Sequence, residues 1–244
     1  MNARYLLLEA RAVLRDIRFL VFTVAMPAVL FLVFDGLFGG QAFGNGTQAS
    51  PALMVSMAGY GAMGAALSTG LTIAVERGSG WLRQLRLTPL SGSGYLTAKT
   101  TLSMLVALPP VLLVSALGAT VGDVGLTGPQ WLGVTLGLWL AVLPFGVLGV
   151  ALGQLSTSSN AQAMGGALMS LLGLTGGMWI PAEIVPDWMR HVMQATPGFW
   201  LREFGLSAFS PVASRTTGLL VLAGWTVAAA VVAVTRFRAD VARA

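Results

Sequence analysis

The side chains that most often carry chemistry are few in this sequence and lie far apart. There is one histidine, His191, and no cysteine, so metal sites built on those ligands and a Ser/His/Asp triad have almost no material. Residues 94–100 resemble a phosphate-binding loop only superficially, because Ser93 and Ala98 replace the glycines of GxxxxGK[ST]. The carboxylate nearest to mid-membrane depth, Asp35, lies at the end of an apolar stretch, unlike the midplane carboxylates of ion-coupled transporters. The sequence therefore predicts no catalytic site, cofactor or metal in this chain.

The composition is that of a protein embedded in a membrane. Only 9% of the residues are charged, against roughly 25% in a soluble domain. The charges are clustered, and they leave four uncharged stretches, at residues 19–34, 36–75, 100–122 and 124–182. A bilayer crossing takes about 20 apolar residues, so these stretches have room for one or two helices each. We therefore predict an all-α integral membrane protein.

The apolar stretches divide into six predicted transmembrane spans within one transmembrane domain, residues 1–244. Glycine, proline and polar residues set their bounds at residues 19–37, 52–75, 100–121, 131–152, 161–180 and 216–235. Residues 1–18 have apolar and basic sides, which predicts an amphipathic helix at the membrane interface. The pair Pro109 and Pro110 should kink or break the third span midway.

The distribution of basic residues predicts the orientation of the spans. If the N-terminus, the loop after the second span and the C-terminus are cytoplasmic, only Arg190, Arg202 and Arg215 of the 14 basic residues lie outside. An excess of Lys and Arg marks cytoplasmic loops. Basic residues at span ends, rather than in a stripe, also argue against nucleic-acid binding. We predict a protein of the bacterial inner membrane with both termini cytoplasmic.

Residues 181–210 carry too many polar and helix-breaking residues for a membrane crossing, yet they are apolar in between. Two short helices that dip part-way into the outer leaflet would satisfy both features, because irregular backbone at membrane depth needs protein or water around it. We therefore predict re-entrant helices between the fifth and sixth spans.

The polar loop between the second and third spans is the most informative feature. Its first part, residues 76–90, predicts a short helix with Leu82 and Leu85 on an apolar side and Arg83 and Arg86 on another. Such a helix is either a plain interfacial loop or a docking element for a cytoplasmic protein.

At this loop the sequence resembles a known family. ERGSGWLRQLRLTPLSGSGYLTAKT, residues 76–100, is similar to the ERxSGTLxxLRxTPLSxxxYLxGK signature of the permease subunits of type-2 ABC transporters, a class that includes drug, antibiotic and polysaccharide exporters. Residues 176–200 are similar to that family's FPxExLPxW segment before the last span. The six-span plan and the N-terminal amphipathic helix also fit, so the resemblance covers nearly the whole chain.

The resemblance implies that residues 76–90 are a coupling helix received by a separate ATPase, which binds ATP and Mg²⁺. Two permeases, expected as a homodimer, would work with two ATPases. The residues expected to contact the ATPase are Glu76, Arg77, Trp81, Arg83 and Arg86. Residues 181–210 would cap an outer gate that includes Pro181, Glu183 and Trp188. Spans one, two and five would face the substrate path, with helix packing as the alternative role for each of the candidates Phe22, Phe31, Met57, Met63 and Met169.

The implied function is ATP-driven export of an amphipathic or apolar compound, such as a drug, an antibiotic or a lipid-like molecule, by alternating access. Two alternatives stay open. One is a permease for a lipid or a polysaccharide, and the other is a membrane sensor or immunity protein that binds a toxin without moving it. ATP-dependent transport in vesicles would separate the transporters from the passive binder.

Overall fold

A computed structural model describes residues 8–11, 13, 15–42, 48–80, 92–182, 184–210 and 214–242. Within these residues the regular structure is helical, apart from one isolated bridge between Ala42 and Gln48. The predicted all-α class is therefore confirmed.

The helices follow the apolar stretches of the sequence. The first two, α1 (Ile17–Leu20) and α2 (Met26–Phe38), are joined by a π-helical turn at Val21–Ala25. The others are α3 (Ala49–Gly78), α4 (Gly92–Val106), α5 (Leu108–Thr120), α6 (Gly128–Ala141), α7 (Leu143–Leu155), α8 (Ala161–Thr175), α9 (Asp187–Gln194), α10 (Pro197–Leu206) and α11 (Arg215–Ala242). Proline lies in the first two positions of α2, α5, α6, α7 and α10, where its missing N–H costs least.

Within the residues that the structure describes, five helical segments are long and apolar enough to cross a membrane. They are Val21–Phe38, Ala49–Gly78, Gly94–Thr120, Gly128–Leu155 and Arg215–Ala239. They correspond to the predicted spans 19–37, 52–75, 100–121, 131–152 and 216–235. Their lengths and hydropathies indicate a multi-pass membrane protein.

The fifth predicted span, residues 161–180, corresponds to a shorter helix. α8 begins at the predicted residue, Ala161, but ends after 15 residues at Thr175. It rises by about 22 Å, less than the roughly 30 Å of the hydrocarbon core. Gly176 and Gly177 follow, and the φ of 71° at Gly177 is a left-handed conformation that favours glycine. A sixth crossing at α8 therefore stays a prediction.

Two of the long segments are interrupted near a proline. The break predicted at Pro109 and Pro110 is confirmed, because Ala107 separates α4 from α5 just before them. A second break, which the sequence analysis did not predict, occurs at Val142, where α6 ends and α7 begins two residues before Pro144. Ala107 and Val142 both keep right-handed helical φ and ψ angles, so each long segment remains continuous across its interruption.

The segments predicted to be cytoplasmic meet at one end of the molecule. Near the start of α4, Lys99 bonds both Glu9 of the N-terminal segment and Glu76 at the end of α3. In the same region Tyr95 stacks on Phe237 of α11, with ring centroids 6.5 Å apart. The N-terminal segment, the ends of the loop after α3 and the last part of α11 therefore share one end, as the predicted topology requires.

α3 packs against α7 through glycines. Gly149 and Gly153 form a GxxxG pair on α7, and both approach the backbone of α3 around Gly70. A Cβ on Gly149 would lie 2.5 Å from the carbonyl oxygen of Leu67, so the two backbones are in direct contact. Small residues permit this close approach between helices in a membrane. Close packing against α7 therefore explains why a glycine is present at position 70.

Replacing Gly149 by Val is expected to destabilise the protein. The new side chain would push α7 away from α3, and overpacking of this kind costs about 1–3 kcal/mol. Thermal unfolding in detergent, followed by tryptophan fluorescence, measures the effect. The matched control is Gly166→Val in α8, where a Cβ would meet nothing within 4 Å. Equal unfolding temperatures for the two variants would contradict the close contact.

Residues 181–210 include two short helices, as predicted. α9 is exposed over much of its surface, whereas α10 packs into the protein, with Trp200, Leu201 and Arg202 at most 2% exposed. The re-entrant position of these helices in the outer leaflet stays a prediction.

Candidate coupling site and lateral groove

A buried ion-pair cluster lies where the N-terminal segment, α3 and α4 meet. Lys99 Nζ is 2.8 Å from Glu9 Oε1 and 2.5 Å from Glu76 Oε1. Tyr95 donates its hydroxyl hydrogen to Glu76 Oε2 at 2.6 Å, and Lys99 also donates to Thr72 Oγ1 at 3.3 Å. These five residues are called the Lys99 cluster below, and they connect three separate parts of the chain.

The attraction between Lys99 and the two carboxylates holds the cluster together, and it is strengthened because these charges are largely shielded from water. The side chain of Lys99 is only 2% exposed, and those of Glu9 and Glu76 are 17% and 18% exposed. A buried ammonium group keeps its charge only where partners compensate for the lost hydration. Removal of one partner from a buried ion pair typically costs about 3–5 kcal/mol. The N-terminal segment, α3 and α4 are therefore fixed relative to one another.

The position of the cluster suits it to transmit a movement of the loop. Glu76 lies in the last turn of α3, and Lys99 lies in the second turn of α4. The residues between these two turns form the polar loop singled out in the sequence. Lys99, Glu76 and Glu9 therefore tie the two ends of the loop to the N-terminal segment.

A second contact holds the same turn of α3. The guanidinium of Arg77 donates from Nη1 to the main-chain carbonyl of Gln154, near the end of α7. The side chain of Gln154 is 4% exposed, and neither its amide oxygen nor its amide nitrogen has a hydrogen-bond partner. Each unsatisfied buried polar group costs roughly 1–3 kcal/mol. The main chain of Gln154, rather than its side chain, therefore anchors Arg77.

A groove of about 550 Å³ runs along α3. Its walls come from the π-helical turn and α2 on one side and from α8 on the other. At one end it reaches Val75 and Thr72, and Thr72 also belongs to the Lys99 cluster. At the other end it reaches Tyr60 and Trp179, whose ring centroids are 5.5 Å apart. On α3 this lateral groove therefore extends from the cluster, at Thr72 and Val75, as far as Tyr60.

The lining of the lateral groove is mainly apolar. Large side chains from all three walls contribute, namely Phe22, Met26, Leu30, Leu67, Leu71 and Met169. Gly166 leaves open space between them, because a Cβ there would meet nothing within 4 Å, whereas Gly64 and Gly165 let the side chains of Met169 and Leu71 pack closely. The groove is thus suited to an apolar or amphipathic molecule, because binding sites for such molecules combine an apolar wall with few polar groups.

Comparison with known proteins decides the family. Residues 41–235 match the sequence profile of the ABC-2 family transporter proteins. The chain is also 30% identical over 207 residues to a protein of Bacillus subtilis (strain 168) named "Putative transport permease YvfS", and the match covers 84% of this chain and 82% of that protein. The chain belongs to the ABC-2 transporter family. It is a membrane transport subunit, and membership of this family implies an ATPase partner.

The structure describes two of the five residues predicted to contact the ATPase. Glu76 and Arg77 of this permease bond to α4 and α7 within their own chain. The other three, Trp81, Arg83 and Arg86, lie outside the described residues. The part of the predicted coupling helix 76–90 that follows residue 80 lies outside them as well. The first three residues of that predicted helix belong to α3, which extends to Gly78.

The predicted substrate-path residues fall into two groups. Phe22 and Met169 line the lateral groove of the permease. Phe31, Met57 and Met63 are 0% exposed in the hydrophobic core, where they pack the helices together. Helix packing, the alternative role for each of them, is the one that these three have in this conformation.

The predicted outer-gate residues follow α8. Pro181 is half-buried, and Trp188 in the first turn of α9 is 69% exposed. Glu183 lies outside the described residues. The gate itself stays a prediction.

Arg202, which the charge distribution placed on the outer side, is a buried residue. It is 1% exposed, its Nε donates to Ser56 Oγ on α3 at 3.1 Å, and its Nη1 lies 3.6 Å from Glu203 Oε1. A charge inside a membrane protein is costly and usually paired. The apolar run Phe199–Trp200–Leu201 precedes Arg202 in a segment that was predicted to enter the membrane. That run could have indicated that Arg202 is buried. Arg202 therefore links α10 to α3.

Replacing Gln154 by Leu is expected to leave the permease as stable as before or to raise its unfolding temperature. The change removes two buried polar atoms without partners and leaves the carbonyl that binds Arg77 in place. Thermal unfolding in detergent measures this. In the control Gln130→Leu, an amide oxygen that accepts from Thr127 N at 2.8 Å is lost, and the unfolding temperature should fall. A lower temperature for the Gln154 variant would show that its amide is satisfied.

Proposed function

We propose that this permease is the membrane-spanning subunit of an ATP-driven exporter that moves an apolar or amphipathic compound, such as a drug, an antibiotic or a lipid-like molecule, out of the cell. The observation that carries the proposal is the lateral groove, which extends along α3 from the Lys99 cluster to Tyr60. Its Phe and Met side chains offer an apolar surface, and Thr72, Ser68 and Gln162 add a few polar groups.

The proposed orientation puts both termini and the loop after α3 in the cytoplasm of a bacterium. The Lys99 cluster and the Val75 end of the groove then lie at the inner face of the inner membrane, and the end at Tyr60 and Trp179 lies deeper in the membrane, about 22 Å along α3 from Val75. The positive-inside distribution of arginines supports this orientation. A compound from the cytoplasmic leaflet would enter the groove between α2 and α8.

In the proposed working complex, two copies of the permease combine with two ATPases that bind ATP and Mg²⁺. The exposed apolar side chains of α2, such as Val29 and Val33, favour contact with a second copy across the open side of the groove. Trp81, Arg83 and Arg86 contact the ATPase, whereas Glu76 and Arg77 fasten the loop to the permease. Closure of the ATPases on ATP moves the loop, the Lys99 cluster follows, and Thr72 shifts in the groove wall. The groove is then exposed alternately to the two sides of the membrane.

Reversing two charges in the loop is expected to separate the permease from its ATPase. In Arg83→Glu plus Arg86→Glu, the surface offered to the ATPase changes sign, while the Lys99 cluster is untouched. Co-purification of the ATPase encoded next to this gene should be lost. The matched control is Arg236→Glu plus Arg238→Glu, two exposed arginines near the end of α11. Retained association in the loop variant, or equal loss in the control, would overturn the coupling assignment.

Transport itself is tested in inverted membrane vesicles that contain the permease and its ATPase. Fluorescent amphipathic compounds should accumulate inside these vesicles when ATP and Mg²⁺ are added. Accumulation of labelled lipid or polysaccharide alone would favour the corresponding exporter. Binding with no ATP-dependent accumulation of any cargo would favour a sensor or immunity protein.

A further inference from the structure

A second groove, of about 450 Å³, lies on a different surface of the permease. It is formed by α6, α7, α10 and α11, and none of the residues that line it also lines the lateral groove. From the end of α10 and the start of α11, it extends down to Val227. We propose that this groove binds an acyl chain of an anionic phospholipid of the outer leaflet, with the phosphate held by Arg215.

One stripe of α11 carries the argument. Leu219, Leu222, Ala223, Thr226 and Val227 line the groove, and they recur at the spacing of one helical face. Arg215 lies four residues before Leu219 and therefore on the same face, one turn above the groove. The apolar stripe is thus continuous with a positive charge at its outer end.

The dimensions fit one leaflet. At about 1.5 Å per residue, the groove-lining stripe extends from roughly 6 Å to roughly 18 Å below Arg215. Half of the hydrocarbon core of a bilayer is about 15 Å thick. A phosphate beside Arg215 would therefore leave the attached acyl chain at the depth of the groove.

The chemistry of the lining favours hydrocarbon. Thr226, a polar residue of the stripe, donates its hydroxyl hydrogen to the carbonyl of Leu222 at 2.7 Å, so the hydroxyl needs no partner in the groove. On the opposite wall, Leu140 and Leu143 are 62% and 38% exposed. Pro144 follows the break between α6 and α7. The groove thus offers apolar surface open towards the lipid.

The charge of Arg215 selects the headgroup. Arg215 is exposed, and among the residues that the structure describes no carboxylate pairs with it. A guanidinium at the membrane surface is a good partner for a phosphate and favours lipids with net negative charge. Phosphatidylglycerol, which has net negative charge, should therefore be preferred over phosphatidylcholine, whose headgroup is neutral overall.

The test measures lipids retained by the purified permease. The protein is equilibrated in detergent with equal amounts of phosphatidylglycerol and phosphatidylcholine, and bound lipid is counted by native mass spectrometry. We expect the unaltered chain to retain phosphatidylglycerol about fivefold better. In Arg215→Gln the preference should disappear while lipid is still bound, and in Ala223→Phe the bound lipid should be lost because the new ring occupies the groove.

Two matched controls distinguish the site from general effects. Arg236→Gln removes a charge near the other end of α11, and Ala228→Phe adds a ring on an exposed face that does not line the groove. Both should retain lipid as the unaltered chain does. Equal retention of the two lipids by the unaltered chain would overturn the proposal. So would unchanged retention in Ala223→Phe, or a dimer that Ala223→Phe dissociates, which would make the groove a contact between copies.

Discussion

Replacing Lys99 by Met is expected to destabilise this permease more than any other single substitution considered and to abolish transport. Met keeps much of the length and volume of the lysine stem but removes the charge between Glu9 and Glu76. Two carboxylates, each less than a fifth exposed, would lose the ammonium group that lies between them. Loss of one partner from a buried ion pair costs about 3–5 kcal/mol. Thermal unfolding in detergent and ATP-dependent accumulation in vesicles measure the two effects.

A compensated variant separates the charge from the packing. When Glu9→Gln and Glu76→Gln are added to Lys99→Met, the cluster has no net charge, and most of the lost stability should return, because a neutral replacement of a buried ion pair is often tolerated. Transport should stay low in this variant if the ion pairs transmit the movement of the loop. Lys99→Met with unchanged stability would contradict the structural role of the cluster.

The control for the Lys99 variant is Arg236→Met. This change also removes one positive charge and introduces Met, but at an exposed position near the end of α11. Surface substitutions of this kind usually change stability by less than about 0.5 kcal/mol. A similar loss in both variants would show that net charge, rather than the Lys99 cluster, determines stability.

The helices of this protein could be predicted because their signals are local. Runs of uncharged apolar residues predicted the spans that correspond to the five long segments, and Pro109 with Pro110 predicted the break before α5. The short length of α8 was harder to predict. Residues 161–180 are apolar throughout, and hydropathy does not register that Gly176 and Gly177 end the helix before the apolar run is over.

The Lys99 cluster could not be predicted because its parts are far apart in sequence. Lys99 is separated from Glu9 by 90 residues and from Glu76 by 23, and the distribution of charge alone counted it as one more cytoplasmic cation. It is the only lysine of a chain with 14 basic residues. This choice of lysine over arginine could have indicated that the position has a special role. A compact ammonium can approach two carboxylates at once, whereas the planar guanidinium of arginine prefers one bidentate partner.

Which of the predicted substrate-path residues line a groove could not be predicted, for a similar reason. Periodicity identifies an apolar face, but it does not distinguish a face that lines a groove from a face that packs on another helix. Met57 and Met63 are buried by neighbouring helices, whereas Met169 on α8 is left beside the lateral groove. The three-dimensional arrangement of α2, α3 and α8 decides between the two roles.

Replacing Gly166 by Trp is expected to block transport without unfolding the permease. Gly166 lines the lateral groove, and a Cβ there would meet nothing within 4 Å. An indole ring can therefore extend into the 550 Å³ of the groove without displacing a helix. ATP-dependent accumulation in vesicles should fall by about tenfold or more, equivalent to about 1.4 kcal/mol of lost cargo binding. The unfolding temperature and the association with the ATPase should be unchanged.

The matched control is Gly224→Trp, at another helical glycine whose Cβ would meet nothing within 4 Å, but on α11 and outside the lateral groove. It adds the same ring to the same kind of position and should transport normally. Normal transport by the Gly166 variant would remove the lateral groove from the path. Blocked transport by Gly166→Trp with intact ATPase association would separate cargo binding from ATPase coupling. In that case the ATPase still engages the loop, while the cargo can no longer occupy the lateral groove.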